Sequence, residues 1–140
     1  MTKTTVPTPA TNVFDLSSFQ DAMRDSASLT IMHPQTGAPT PITITVASPD
    51  SDAYKAVDWR VKNRNITMAR KSKNGLTIEA IDASGLDILV GATLGWDGMT
   101  WDGAALPFSA DNARMVYTTF SFIREQVDEF LADRANFFSN

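Results

Sequence analysis

Residues 28–51 read SLTIMHPQTGAPTPITITVASPDS, and they decide which fold the chain is expected to adopt. Two apolar runs flank the turn-forming segment PQTGAP, and β-branched residues alternate in the second run, ITITV. This pattern predicts a β-hairpin with strands over residues 29–33 and 41–47. Pro39 and Pro41 suit an edge strand or the start of a strand, because proline cannot donate a ladder hydrogen bond.

A long helix is predicted after the hairpin, because Asp50 or Ser51 can cap it and no helix breaker follows for about twenty residues. At 3.6 residues per turn, one apolar face of this helix is expected to pack on the core. That face consists of Tyr54, Val57, Val61 and Met68.

Trp59 and Ile66 fall on nearly the opposite face of the same helix, and two explanations stay open. The helix lies between two parts of one domain, or arginine stems cover the Trp. Alternatively, the two side chains form a partner-binding face together with the basic residues around them. The candidate partner-binding residues on this helix are Trp59, Arg60, Lys62, Ile66 and Arg70.

The next segment, LTIEAIDASGLDILVGATLGW, predicts a second, largely buried helix that Gly95 ends in the left-handed conformation. Small residues such as Gly85 and Gly91 permit a neighbouring helix to approach closely. The expected inner face is Ile78, Ile81, Gly85, Ile88, Leu89, Ala92 and Trp96.

Trp-Asp-Gly then occurs twice, in GWDGMTWDGAALPFS at residues 95–109. Asp-Gly pairs favour tight turns, because Asp bonds local backbone and Gly tolerates a positive φ. A calcium loop needs carboxylates at alternate positions and a distal Glu, which this spacing does not supply. We therefore interpret the doubled motif as a corner with a small hairpin, and not as a binding loop.

Ser109 is expected to cap a helix whose inner face includes Val116 and Tyr117, and a last helix is predicted over residues 122–134. Phe137 and Phe138 lie near the C-terminus, and they either fold back onto the core, as expected by default, or are covered by a partner. Both are therefore also candidate partner-binding residues.

At the other end, residues 1–13 are Thr/Pro-rich and are expected to be a disordered tail. Residues 14–140 are expected to form one domain, in which Phe14 to Met23 makes a short helix. The sequence thus predicts an α+β fold that is mainly α-helical, with an N-terminal β-hairpin, about four helices and a short WDG hairpin.

Composition restricts the chemistry. The chain of 140 residues has no cysteine and one histidine, His33, which excludes thiolate zinc sites and any site that needs two imidazoles. His33 itself is expected to be a surface or turn residue. No apolar run is long enough for a membrane span and no signal-peptide core is present, so a cytoplasmic protein is the simplest expectation. We expect neither a cofactor nor a metal ion.

The charges are split along the chain. Residues 59–77 contain basic residues and no acid, whereas acids dominate residues 78–140, although the net charge is only -4. This split favours head-to-tail contact between copies, and the acidic remainder argues against nucleic-acid binding. We expect a homo-oligomer.

The order of these pieces resembles the tail assembly chaperones of long-tailed (siphovirus-type) bacteriophages. The resemblance covers residues 29–138, and it is carried mainly by HPQTGAPTPITITVASPDS, GWDG and LPFSADNARMVY followed by a helix ending FLADRANF. Membership would imply a non-enzymatic protein of the infected host's cytoplasm, absent from the mature virion. Such proteins coat the tape measure protein and recruit major tail protein subunits. The family offers no established functional residues to carry over.

Other functions remain as alternatives. The first is a structural virion protein of the phage tail or head–tail connector, which would share size and composition. An enzyme would have to use Asp97, Asp102, Asp111 or Tyr117, but the sequence shows no nucleophile–base pair and no phosphate loop. An acidic inhibitor that mimics nucleic acid would need acids run together, whereas these are spread over helix faces.

Overall fold

The computed structural model describes residues 12–72 and 75–139. These residues form an α+β fold that is mainly helical, which confirms the predicted fold class. The predicted disordered tail, residues 1–13, lies outside the described residues except for its last two. In chain order the elements are α1 (Ser17–Ala22), β1 (Ser26–Met32), β2 (Pro39–Ala47), α2 (Asp52–Lys71), α3 (Ile78–Ala92), β3 (Thr93–Asp97), β4 (Thr100–Trp101), β5 (Ala104–Ala105), α4 (Ala110–Thr119), α5 (Ser121–Ala132) and a 3-10 helix (Arg134–Phe137).

The predicted β-hairpin is confirmed, and β1 begins a few residues earlier than predicted, at Ser26. It forms two strands of an antiparallel sheet with the order β1-β2-β3, so β2 is the central strand. Pro39 and Pro41 nevertheless fit in β2, because they lie at its start and pairing with β3 begins only at Thr43.

His33 is a turn residue, as predicted. Its backbone N–H donates to the carbonyl of Ala38 at 2.8 Å, and its own carbonyl accepts from Gly37 at 2.8 Å. Its ring Nδ1 accepts from the backbone N–H of Gln35 at 3.1 Å. The only histidine therefore closes the hairpin turn on an exposed surface.

The prediction that helix α3 continues to Trp96 is wrong. The helix ends at Ala92, and Thr93 takes an extended conformation and starts β3. The next residues pair with β2, and Trp96 lies opposite Ile44. Gly95 is a strand residue and not a left-handed helix end. Tertiary pairing with β2 has overridden the local helical periodicity, which is common for short β-branched and aromatic runs.

The core lies between the sheet and helices α3, α4 and α5. The inner residues of the hairpin strands and of the last two helices are almost completely buried, as the sequence patterns predicted. Ser109 caps α4 by accepting from the backbone N–H of Asn112 at 3.0 Å, and Ser51 caps α2 by accepting from Tyr54 at 3.2 Å. The largest fully buried side chains are Tyr117, Phe137, Ile31, Ile44, Leu89, Val46 and Val127.

Helices α2 and α3 pack together only at the end nearest the sheet. Among the described residues, α2 has no buried residue after Val61 and α3 has none before Ser84. The predicted inward positions of Met68, Ile78 and Ile81 are therefore wrong, since these side chains are 48%, 82% and 57% exposed. These residues do share one helix face, but no other described element covers this end of the helix pair.

Candidate partner-binding surfaces

The doubled WDG motif forms a corner and a hairpin, as predicted. Gly98 (φ 81°) turns the chain after β3, and Asp102 (φ 51°) with Gly103 (φ 82°) makes the tight turn that joins β4 to β5. Positive φ at both central residues is the signature of the type I′ turn of a two-residue β-hairpin. The motif thus sets backbone direction.

An aromatic groove lies beside this hairpin. It encloses about 270 Å³, and Trp101 on β4 contributes one wall while Phe120 and Phe122 at the α4–α5 junction contribute another. The Trp101 and Phe120 ring centroids are 5.9 Å apart, and those of Phe120 and Phe122 are 6.2 Å apart. The lining residues are Ile42, Gly98, Met99, Thr100, Trp101, Leu106, Val116, Phe120, Phe122 and Ile123, none of which is charged.

The groove is held open by the loop after the hairpin. The indole N–H of Trp96 donates to the carbonyl of Leu106 at 2.9 Å, and its ring meets that of Phe108 edge-on at 5.1 Å. The backbone N–H of Leu106 donates to the carbonyl of Met99 at 3.1 Å. These contacts fix the loop, and Trp101 at the rim of the groove is 46% exposed. Sequence reasoning missed this groove, since its walls come from four separate segments.

The second surface is the free end of the α2–α3 pair, residues 62–72 and 75–81, which we call the helical tip. Trp59 and Ile66 do face away from the core, at 69% and 53% exposed, so neither is sandwiched between parts of the fold. A shallow groove of about 340 Å³ runs along the tip. It is lined by Lys62, Asn65, Ile66, Ala69 and Leu76.

The basic residues around the tip differ in their partners. Lys62 forms an i,i+4 pair with Asp58 at 2.9 Å, and this hydrogen bond raises the lysine pKa. Arg60 and Arg70 form no ion pair with any described residue. Two of the three predicted cationic candidates are thus available to an acidic partner.

Asp87 ties α2, α3 and α4 together beneath the tip. Its carboxylate accepts from Arg64 on one oxygen and from Arg114 on the other, each at 2.7 Å. Partial burial raises the pKa of Asp87, but hydrogen bonds from the two guanidiniums outweigh it and the net shift is downward. Alongside, the Asn65 side chain exchanges hydrogen bonds with Ser84 at 2.9 and 3.1 Å.

The third surface is the arm, residues 12–23, which includes α1. No residue of α1 is buried. Phe14 and Phe19 stack on each other with centroids 4.8 Å apart, while they remain 66% and 50% exposed. Val13 and Leu16 are more exposed still, at 74% and 73%. This run of exposed apolar side chains makes the arm a candidate interaction segment.

The C-terminal phenylalanines correct a prediction. Phe137 is 1% exposed and its ring packs edge-on against Phe130 at 5.4 Å, so it belongs to the core and cannot serve as an exposed anchor. The expected folding back of the terminus is confirmed. Phe138 is partly buried and forms an antiparallel bridge with Met23, which fastens the root of the arm.

The carboxylates and the tyrosine considered for catalysis occupy other roles. Asp97, Asp102 and Asp111 are exposed at turns or in the first turn of α4. Burial raises the pKa of Tyr117 to about 12, partly offset by its 2.7 Å hydrogen bond with Thr93. Within residues 12–72 and 75–139, no three His, Asp or Glu side chains converge in a way that could hold a metal ion.

No protein-family model, curated protein or solved structure matches the chain. In the part of the chain that the structure describes, no helix is both long and apolar enough to cross a membrane.

Proposed function

We propose that the protein is a tail assembly chaperone of a long-tailed bacteriophage, which binds the tape measure protein and helps to recruit major tail protein subunits around it. The observation that carries this proposal is the uncharged aromatic groove beside the WDG hairpin. A chaperone for a long amphipathic client needs exposed apolar anchors on a rigid frame, and it needs no catalytic constellation. The sequence resemblance supplies the identity of the client.

The groove suits the apolar face of a helix. Helix-in-groove recognition places side chains at i, i+3, i+4 and i+7 into an apolar channel, and aromatic side chains supply much of the binding energy. Trp101 forms the accessible rim, while Phe120 and Phe122 are half-buried and fixed by contact with each other. A rigid aromatic wall loses little conformational entropy when a client binds, which favours affinity.

The role also needs surfaces for proteins other than the client. The helical tip and the arm lie outside the groove lining, so they remain free to contact further copies of the chaperone or tail subunits. In this proposal the protein acts in the cytoplasm of the infected host and leaves the particle before the tail is complete.

Co-expression with the tape measure protein of the same phage tests client binding. Wild-type chain should keep the tape measure protein soluble and co-purify with it. Trp101→Ala, and separately Thr100→Arg, which places a charge at the groove rim, should abolish both effects while circular dichroism shows an unchanged fold. The matched control is Leu94→Ala, since Leu94 is 48% exposed, close to the 46% of Trp101, but lies outside the groove. Normal client binding by both groove variants would overturn the assignment.

Mass spectrometry of purified virions separates this function from that of a structural tail or connector protein. A chaperone should be absent from the particles and present in lysates taken before assembly ends. Detection at a stoichiometry similar to that of a tail component would refute the chaperone role and favour the structural alternative.

A further inference from the structure

Among the described residues, the arm and the helical tip are two apolar surfaces that no other element covers. The arm exposes Phe14, Leu16 and Phe19. The tip exposes Ile66 beside its groove and Ile78 at the start of α3. Surface patches of this kind on a soluble chain commonly mark contacts with another protein.

The two surfaces are opposite in charge. The arm contains Asp15 and Asp21 and no basic residue. The tip, residues 62–72 and 75–81, contains four basic residues and one acid, Glu79, and Arg70 and Lys71 form no ion pair with any described residue. Complementary charge steers association and disfavours the wrong orientation, here arm against arm or tip against tip.

Two nearby charges of the other sign do not reverse this contrast. Arg24 follows the arm, but its guanidinium is turned onto the carbonyls of Asp21 and Met23 at 3.1 Å each. Glu79 lies in the first turn of α3, where it faces the positive end of the helix dipole.

In this structure the arm does not extend to the tip of its own chain. Its root is fastened by backbone hydrogen bonds of 2.8 Å from Arg24 to Phe137 and from Ser139 to Ala22. The same region meets the start of α2, because Ser48 donates to the carbonyl of Asp25 at 2.8 Å. Along α2, Ile66 is roughly 22 Å from the N-cap Ser51 at 1.5 Å per residue, whereas Phe19 stands only about 6 Å from the arm's root.

We infer that the arm of one copy docks on the helical tip of a second copy, with Phe14 and Phe19 of the arm on the Ile66 groove and its aspartates beside Arg70 and Lys71. The contact is head-to-tail, because each copy keeps a free arm and a free tip. Such an interface adds copies in a row or closes a ring. The aromatic groove takes no part in this contact, so self-association and client binding can be tested independently.

Sedimentation velocity over a range of protein concentrations tests the contact. Wild-type chain should form species larger than a monomer that grow with concentration and shrink as salt is added. Phe19→Ala and Ile66→Ala should each weaken self-association about tenfold, as expected for apolar anchors. The matched control is Leu94→Ala, since Leu94 is 48% exposed, close to the 50% of Phe19, and lies on β3.

Charge reversal makes the test specific for the pairing. Asp21→Lys alone and the double variant Arg70→Glu/Lys71→Glu alone should each self-associate poorly. A mixture of the two should again form species larger than a dimer, because the reversed arm matches the reversed tip and the unaltered arm matches the unaltered tip. The unaltered pair alone would give only dimers. The control reversal is Glu125→Lys on α5, which should not change the wild-type behaviour.

The inference is overturned if wild-type chain stays monomeric at every concentration, or if the mixture does not recover association. It is also overturned if the tip variants associate normally but lose a tail protein, since the tip would then serve a different partner. In all of these cases the effect of Trp101→Ala on the tape measure protein is unchanged, so the proposed function is judged independently.

Discussion

A Cβ atom on Gly98 would lie 2.2 Å from the backbone oxygen of Pro41, so the first WDG turn is pressed directly against the start of β2. The second turn differs, because a Cβ on Gly103 would meet nothing within 4 Å although its φ of 82° is almost the same. The two copies of the motif therefore have different structural roles. The first fixes the hairpin to the sheet and the second only reverses the chain.

This difference predicts unequal effects of the same substitution. Gly103→Ala should lower the free energy of unfolding by about 1 kcal/mol, the cost of a left-handed alanine. Gly98→Ala adds a backbone clash that no side-chain movement relieves, and we expect a loss of about 3 kcal/mol or more. Urea denaturation of the two variants checks this. Equal losses would mean that the first turn is not held against Pro41.

The close approach of α2 and α3 predicts a compensating pair. A Cβ on Gly91 would lie 2.6 Å from a methyl carbon of Val57, so Gly91→Ala should destabilise by about 1–3 kcal/mol. In a Val57→Ala background the same change should be neutral or slightly stabilising, because alanine favours the helix. A double-mutant cycle in urea measures this coupling. Additive effects would argue against the contact. Gly85→Ala is the control, because its Cβ would meet only the end of the Arg124 side chain, at 3.4 Å.

Asp87 predicts part of the acid sensitivity. Its pKa is lower in the folded chain than in the unfolded chain, so its contribution is present above about pH 4 and is lost as pH falls through the lowered value. Asp87→Asn should cost about 1–2 kcal/mol at pH 7, since both guanidiniums are partly exposed, and little at pH 2. Unfolding free energies across this pH range check the slope. Glu129→Gln is the control, and a constant loss at all pH values would contradict the linkage.

The sequence predicted what local rules determine. Alternation gave the β-hairpin, and hydroxyl caps gave the starts of α2 at Ser51 and α4 at Ser109. Asp-Gly pairs gave the turns. Each of these features depends on residues within a few positions of one another, so no knowledge of the rest of the fold is needed.

The missed features depend on distant partners. Strand β3 forms because its backbone pairs with β2. The sequence of residues 93–97 alone does not show that this pairing partner is present. Periodicity correctly grouped Met68 with Val57 and Val61, but it could not show that α3 covers only one end of that stripe. The aromatic groove joins segments from Ile42 to Ile123, so no sequence window contains it. The partner-binding role of Trp59 and its basic neighbours stays a prediction.

The C-terminal phenylalanines give the last prediction, because only Phe137 is fully buried. Phe137→Ala should lower the free energy of unfolding by about 3–5 kcal/mol, because its ring is fully buried against Phe130. Phe138→Ala should cost about 1 kcal/mol, since that side chain is only partly buried and its bridge to Met23 uses backbone atoms. Thermal and urea unfolding of the two single variants decide the matter. If Phe137→Ala no longer self-associates, the cause would then be unfolding. If Phe138→Ala is stable but no longer self-associates, the cause would be a loosened arm. Similar stability of the two variants would mean that Phe137 is not buried in the core, and it would again be a candidate exposed anchor.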